Sequence, residues 1–399
     1  MQLQLDTYSP IIVPVNWQSE LIEDDEQRLS LLRQHFSGID PLTIKANIWP
    51  MGYGSLEHDN LPMLYQPSAI FEFAGLTDEP DVEHAQLYVY DSCLAVLHLR
   101  LSLCSDISNI DDLEISNRVE ALSFQYLSPV LAQIYDIKTT APMIQPSAYK
   151  FFVNTREELI NGKPMWVARM LTKAPNLHEE HYLKWLKNVD VDSDYLLLGS
   201  GNSLLVEQKH FSDVNRTMVI SQFHAALMNR IEDLLKDNLK QFNNSYYNSD
   251  TLDKLAQSIN NQQYRNDHIE FIDIQMSAAA SGVQGTRREL LKQFGQAWQF
   301  GEQRDRITQL THLTQARLDR LSQDKIRHQN RRIQTLLTFL GALGLISLVV
   351  DLIDLEGNTE HEHSTGLLDL IQFSSAEHII NIMFLMVILV TLYFYRNHE

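Results

Sequence analysis

The chain has 399 residues, 44% of them hydrophobic, and 51 acidic residues against 32 basic ones give a formal charge of −19. That length allows two or more folding units, and the acidic balance disfavours a nucleic-acid groove while favouring divalent cations or ligands carrying positive charge. The two cysteines, Cys93 and Cys104, belong to no Cys-x-x-Cys pair, so neither a disulfide framework nor a structural zinc site is expected.

Met1 to Pro10 has no basic start followed by an apolar run, so no signal peptide is expected and the body is predicted to stay in the cytoplasm. Residues 1–210 read as a mixed α/β sensor domain. Strand-like runs rich in β-branched and aromatic residues fall at Ile11–Val15, Gln86–Tyr90, Leu94–Leu103, Met165–Leu171, Tyr195–Leu198 and Leu204–Glu207. Between Leu113 and Tyr135, the positions Leu113, Ile115, Val119, Leu122 and Leu127 make an apolar helical stripe. Asp190, Asp192 and Asp194 alternate before a strand, as in calcium loops, but Tyr195 stands where an EF-hand needs glycine. They are a candidate metal site, with a solvated turn as the plainer reading. Gly199, Ser200, Gly201, Asn202 and Ser203 separate two strand-like runs. Their backbone can cradle a phosphate or ribose, but they lack the lysine and following helix of a P-loop, which favours a hairpin turn.

Residues 211–285 read as a helical region, with apolar spacing from Met218 to Phe242, an Asn-rich break at 243–249, and further helices at Asp250–Asn261 and Ile269–Ala280. Gly282 and Gly285 mark a turn. From Thr286 to Leu355 there is no proline, which predicts one continuous helix of about 105 Å. Its narrow stripe, Ile307, Leu310, Leu313, Leu318, Leu321 and Ile326, suits packing against copies of itself.

No Lys or Arg occurs between Arg332 and Arg396, and most residues there are apolar. The pattern predicts a stalk over 286–332, a first membrane span over 333–355, an outer loop over 356–375, a second span over 376–395 and a short tail over 396–399. Lys325, Arg327, Arg331 and Arg332 before the first span, and Arg396 after the second, place both termini in the cytoplasm and the protein in the inner membrane. The expected fold class is therefore an α+β cytosolic domain, a long α-helical stalk and two C-terminal transmembrane helices.

Candidate pore-lining residues on one helical face are Thr338, Gly341, Leu345, Leu348 and Leu352, with Asn330 at the cytosolic entrance. Asp351, Asp354, Glu356, Gly357 and Asn358 are the candidate mouth, where acids gathered from several copies concentrate cations; the plainer reading has them solvated among headgroups. No nucleophile–base set suggests catalysis.

An α/β domain, folded-back helices, one very long helix leading into a first span and a C-terminal second span together resemble the CorA-type divalent-cation channel superfamily. Glu356-Gly357-Asn358 stands where that family has Gly-Met-Asn. The resemblance implies a funnel-shaped homo-pentamer in the lipid bilayer whose pore is gated by ligand binding to the cytosolic domain, with a divalent cation such as magnesium as ligand. Relatives without the signature occur beside type III CRISPR systems, which implies as an alternative an antiviral effector switched by a nucleotide messenger. A membrane-tethered scaffold or enzyme is the third reading.

Overall fold

The computed structural model describes residues 3–15, 25–40, 42–45, 67, 69–90, 93–103, 110–137, 155–172, 179–187, 189, 191–199, 201–248, 285–356, 378, 381–385 and 387–389. The chain divides into two compact units, one of residues 1–248 with 261–315, the other of 249–260 with 316–399.

The first unit is built on a nine-stranded sheet. In chain order its elements are β1 (Leu3–Ile12), α1 (Asp25–Phe36), β2 (Leu42–Lys45), β3 (Ala69–Phe73), β4 (Val82–Val89) and β5 (Leu94–Leu103). There follow α2 (Asp112–Leu122), α3 (Ser128–Asp136), α4 (Arg156–Ile160), β6 (Ala168–Thr172), α5 (Glu179–Leu186), β7 (Val191–Asp192), β8 (Leu196–Leu198) and β9 (Asn202–Leu205). Three helices complete the described elements: α6 (Phe211–Asn248), α7 (Thr286–Ala297) and α8 (Phe300–Glu356). The strand order is β2-β3-β4-β5-β1-β6-β9-β8-β7. Every neighbouring pair is antiparallel except β6 and β9.

Strand alternation sends successive side chains to opposite faces. On β1, Leu3, Leu5 and Ile11 join one core with Leu97, Leu99 and Leu101 of β5 and with α1, α2, α3 and α5. Tyr8 and Ile12 join a second core with Leu94 and Val96, α6 and α7. The sheet is thus covered on both faces, which explains why its central strands are buried along almost their whole length. The expected strand at Ile11–Val15 is corrected: β1 begins at Leu3, because Asp6, Thr7 and Ser9 are buried polar residues inside a central strand and interrupt its apolar pattern.

The stripe at 113–135 is helical but not one helix. A π-helical turn, Ser123–Leu127, separates α2 from α3. Pro129 lies in the first turn of α3, where its ring and missing N–H interrupt the α-helical ladder behind it. Gly162 closes on this bulge with φ +64°, and the Ser123 hydroxyl donates to its carbonyl; a Cβ at 162 would lie 3.3 Å from the Ser123 carbonyl oxygen.

Three expectations for the C-terminal half are corrected. The Asn-rich stretch does not break α6, which runs on to Asn248. The predicted helix from 286 to 355 is two helices: α7 ends at Ala297 and Gln299 adopts φ +54°, so the chain turns before α8 starts at Phe300. Phe294 and Leu290 anchor α7 in the core beneath α6, while the Trp298 ring stacks on Phe294, which holds the turn. The third correction concerns the membrane. Among the described residues no helix is long and apolar enough to cross one. Gln334, Thr335 and Thr338 stand among the exposed apolar side chains of α8 from Ile333 to Leu348. Most of the expected second span, 376–395, lies outside the described residues. The two-span funnel, the membrane channel and the inner-membrane placement are therefore withdrawn.

Candidate functional site

The polar groups concentrate on the sheet face that α6 covers. Antiparallel register sets Asp6 opposite Arg100 and Tyr8 opposite His98 across β1 and β5, and sets His98 opposite Gln86 and Val96 opposite Tyr88 across β5 and β4. These side chains therefore point to the same side as the α6 core. Asp6 is the hub. Its Oδ1 lies 2.8 Å from His98 Nε2 and accepts from Arg100 Nε at 3.0 Å. Asp6 and His98 are almost fully buried, with side chains 1% and 2% exposed. A buried carboxylate needs such partners, because losing its water without them costs several kcal/mol. The Tyr8 ring stacks on His98 at 4.7 Å with planes 2° apart, and the His84 ring meets it edge-on at 5.3 Å.

The first turns of α6 close this row from above. The Tyr8 hydroxyl donates to Asn215 Oδ1 at 2.8 Å, and the Arg100 guanidinium sits 4.5 Å from the centre of the Phe211 ring. Burial pushes the Tyr8 phenol well above its usual range, with the Asp6 charge adding to it. Burial likewise raises Tyr88 to about 12, opposed by its hydrogen bond with Asn215. Burial lowers His84, and the neighbouring charge on His98 lowers it further. His98 Nδ1 is buried without a hydrogen-bond partner.

Chemically, the row has an imidazole oriented by a carboxylate, which is the orienting half of a general-base arrangement. Among the described residues no serine, threonine or cysteine is hydrogen-bonded to His98, so the row holds charge and orientation without a nucleophile.

Comparison with known protein families, curated proteins and solved structures finds no match.

The sequence-predicted site residues fall elsewhere. Gly199, Gly201, Asn202 and Ser203 form the β8–β9 turn and its return strand, with the Gly199 amide donating to the Asn202 carbonyl at 2.8 Å and Gly201 at φ +81°. Asn202 is committed to the fold: it accepts from Arg169 at 3.1 Å and donates to the Trp185 carbonyl at 2.8 Å. Arg169 also reaches Ser116 at 2.8 Å and the Asp112 carbonyl at 3.1 Å, tying α2 to the sheet. Ser200 lies outside the described residues, as does Asp190. Asp192 ends β7 and Asp194 is exposed in the turn after it. Among the described residues no group of three or more His, Cys, Asp or Glu is placed to hold a metal ion.

Asn330, Gly341, Leu345, Leu348 and Asp351 are exposed positions of α8, and Thr338 is half-buried. Leu352, Asp354 and Glu356 belong to its last turns, while Gly357 and Asn358 lie outside the described residues. Sequence reasoning missed the Asp6 hub altogether. Its one visible signal was the pair of ionisable residues, His98 and Arg100, at alternate positions inside the strongest strand, where a charge needs a buried counter-charge.

Among the described residues of the second unit, α8 carries exposed apolar side chains. Leu336 is 61% exposed, Leu337 62%, Leu340 60% and Leu345 61%, with Ile333, Phe339, Leu343 and Leu348 also exposed. At 100° per residue these eight side chains spread over roughly 240° of the helix circumference. A lone helix in water does not carry so wide an apolar arc.

Proposed function

We propose that the protein is a self-associating regulatory protein: the α/β unit is a ligand-sensing body, and copies of the chain assemble through residues 333–348 of α8. The observation that carries this reading is the arc of exposed leucine, isoleucine and phenylalanine side chains on α8. Its occupant is a second copy, packed antiparallel. Arg331 and Asp351 are both exposed and lie ten residues on either side of Gly341. Two antiparallel copies crossing at Gly341 place Arg331 of each at the same level of the bundle as Asp351 of the other, whereas parallel copies set like charges at one level. Nothing lies within 4 Å of a Cβ built on Gly341 or Gly344, so the backbones have room to approach closely there. Leu337, Leu345 and Leu348 share the Gly341 face and supply the contact. The arc is wider than one partner covers, which favours more than two helices in the bundle.

Charge reversal tests the arrangement. Arg331→Asp or Asp351→Arg alone weakens association of the full chain by up to about tenfold, since each change sets like charges at two levels of the bundle. The double variant restores it. Unchanged association in both single variants, or a double variant weaker than either, removes the antiparallel model.

A further inference from the structure

We infer that the elbow between α7 and α8 is an acid-released latch: a proton taken up by His224 of α6 frees the first two turns of α8 from the body of the first unit. This inference stands on the first unit alone and does not depend on self-association.

The latch is a junction of three helices around one ring. Phe300, the first residue of α8, lies 4.7 Å from the His224 ring of α6 and 5.9 Å from the Trp298 ring that closes α7, centre to centre. Its Cδ2 stands 3.7 Å from a Cβ built on Gly295 of α7, so the ring is seated on that helix as well. Trp298 in turn stacks on Phe294, which is fully buried. The chain enters α8 through Gln299 at φ +54°, a conformation that residues other than glycine adopt only at a cost. The elbow therefore stays closed only while its neighbours hold it.

Beyond Phe300 the hold on α8 is narrow. Gly301, Glu302, Arg304, Asp305 and Arg306 are exposed, while Gln303 and Ile307 are buried. Gln303 donates to Asn229 Oδ1 of α6 at 2.5 Å. Arg306 comes within 3.8 Å of Glu232, but its side chain is 53% exposed and water screens the pair. One buried residue per turn marks a segment that opens ahead of the rest of its unit. β5, by contrast, is buried along almost its whole length.

His224 is the member on which acid acts. It is half-buried against Phe300. Arg304 stands four residues after Phe300, on the same face of α8, and its charge opposes a proton on the imidazole. From α7 the junction receives Gly295 and Trp298, which carry no charge. Burial first, and Arg304 second, hold His224 at about 4 in the closed elbow, against an ordinary 6.5. An opened His224 accepts the proton that the closed one refuses, so moving from pH 7.5 to pH 5 favours the open elbow by up to about thirtyfold. The helix released is the one whose later turns carry the exposed leucines.

Hydrogen exchange of the full chain at pH 7.5 and pH 5, corrected for the intrinsic exchange rate at each pH, tests the latch. In the parent, the amides of residues 303–310 open about ten- to thirtyfold more often at pH 5, while those of β5 stay protected over the time in which 303–310 exchange. His224→Gln opens the segment equally at both pH values. His224→Phe does the same and serves as a second replacement should the first pack badly. Gln303→Ala opens it more often at both, with the pH ratio kept, because it loosens the hold without touching the titrating group. Equal opening of 303–310 at the two pH values in the parent overturns the inference, as does survival of the parent's full ratio in both His224 variants. Exchange of β5 together with 303–310 overturns it too, because the unit then unfolds whole.

Discussion

Protonation of His224 should set the acid limit of the first unit. His224 lies on α6, its ring 4.7 Å from that of Phe300 at the start of α8. Burial, with the charge of Arg304 adding to it, lowers its pKa to about 4. Against an ordinary value of 6.5 in the unfolded chain, the folded state resists a proton that the unfolded state accepts. The unfolded state then binds more protons between pH 6.5 and 4, so stability rises with pH across that window and is lost as pH falls through it. At 1.36 kcal/mol per unit, the full loss from this one residue is about 3 kcal/mol, a large share of the typical stability of a domain. Glu72 and Asp81 have lowered values, set against ordinary values of 4.5 and 3.8, so their stabilisation is lost only in more acidic solution. The range from pH 6.5 to 5 therefore belongs to histidines, His84 adding to the same slope. Urea unfolding at pH 7.5, 6.5, 5.5 and 5 measures it for the parent and for His224→Phe. The variant loses most of the slope whatever its absolute stability. Parallel slopes for the two proteins would refute the reasoning.

Three further outcomes follow from the same structure. Asp6→Ala leaves His98 and Arg100 buried or half-buried without their carboxylate, and lowers stability by about 3–5 kcal/mol in chemical denaturation; a loss under 1 kcal/mol contradicts the hub. Gly162→Ala forces a side chain into φ +64° and toward the Ser123 carbonyl, at a cost of at least about 1–2 kcal/mol, read as an earlier thermal midpoint. Arg118→Ala cuts the fork to Glu79 and Asp81 that ties α2 to the start of β4; with the arginine 35% exposed the cost is about 1 kcal/mol, smaller still at high salt.

The parts of the fold that were legible in the sequence are those where one physical signal acts alone. β5 matched its expected bounds because ten leucine-rich residues, buried along almost their whole length, lie near the centre of the sheet. The body of α6 was visible through its 3.6-residue apolar stripe, but its extent was not, because asparagines late in a long helix look like a terminator. The α7–α8 break was invisible for the opposite reason: Trp298 and Gln299 carry no glycine or proline signal, and the turn is held by aromatic packing on Phe294. β1 was misread because buried partners such as His98 and Arg100, some 90 residues away, make Asp6 tolerable inside a strand. The apolar run after Arg332 was plain in composition, yet composition does not say what covers it. The candidate site was hidden for the same reason: strand register and α6 bring its members together, and neither is local in sequence.

Sedimentation equilibrium of the full chain, with and without Leu337→Asn and Leu345→Asn together, tests self-association through α8 most directly. Assembly through that helix predicts a parent mass of at least two chains and a double variant that dissociates to one. A parent of single-chain mass, or one recovered only with added lipid vesicles, would contradict it.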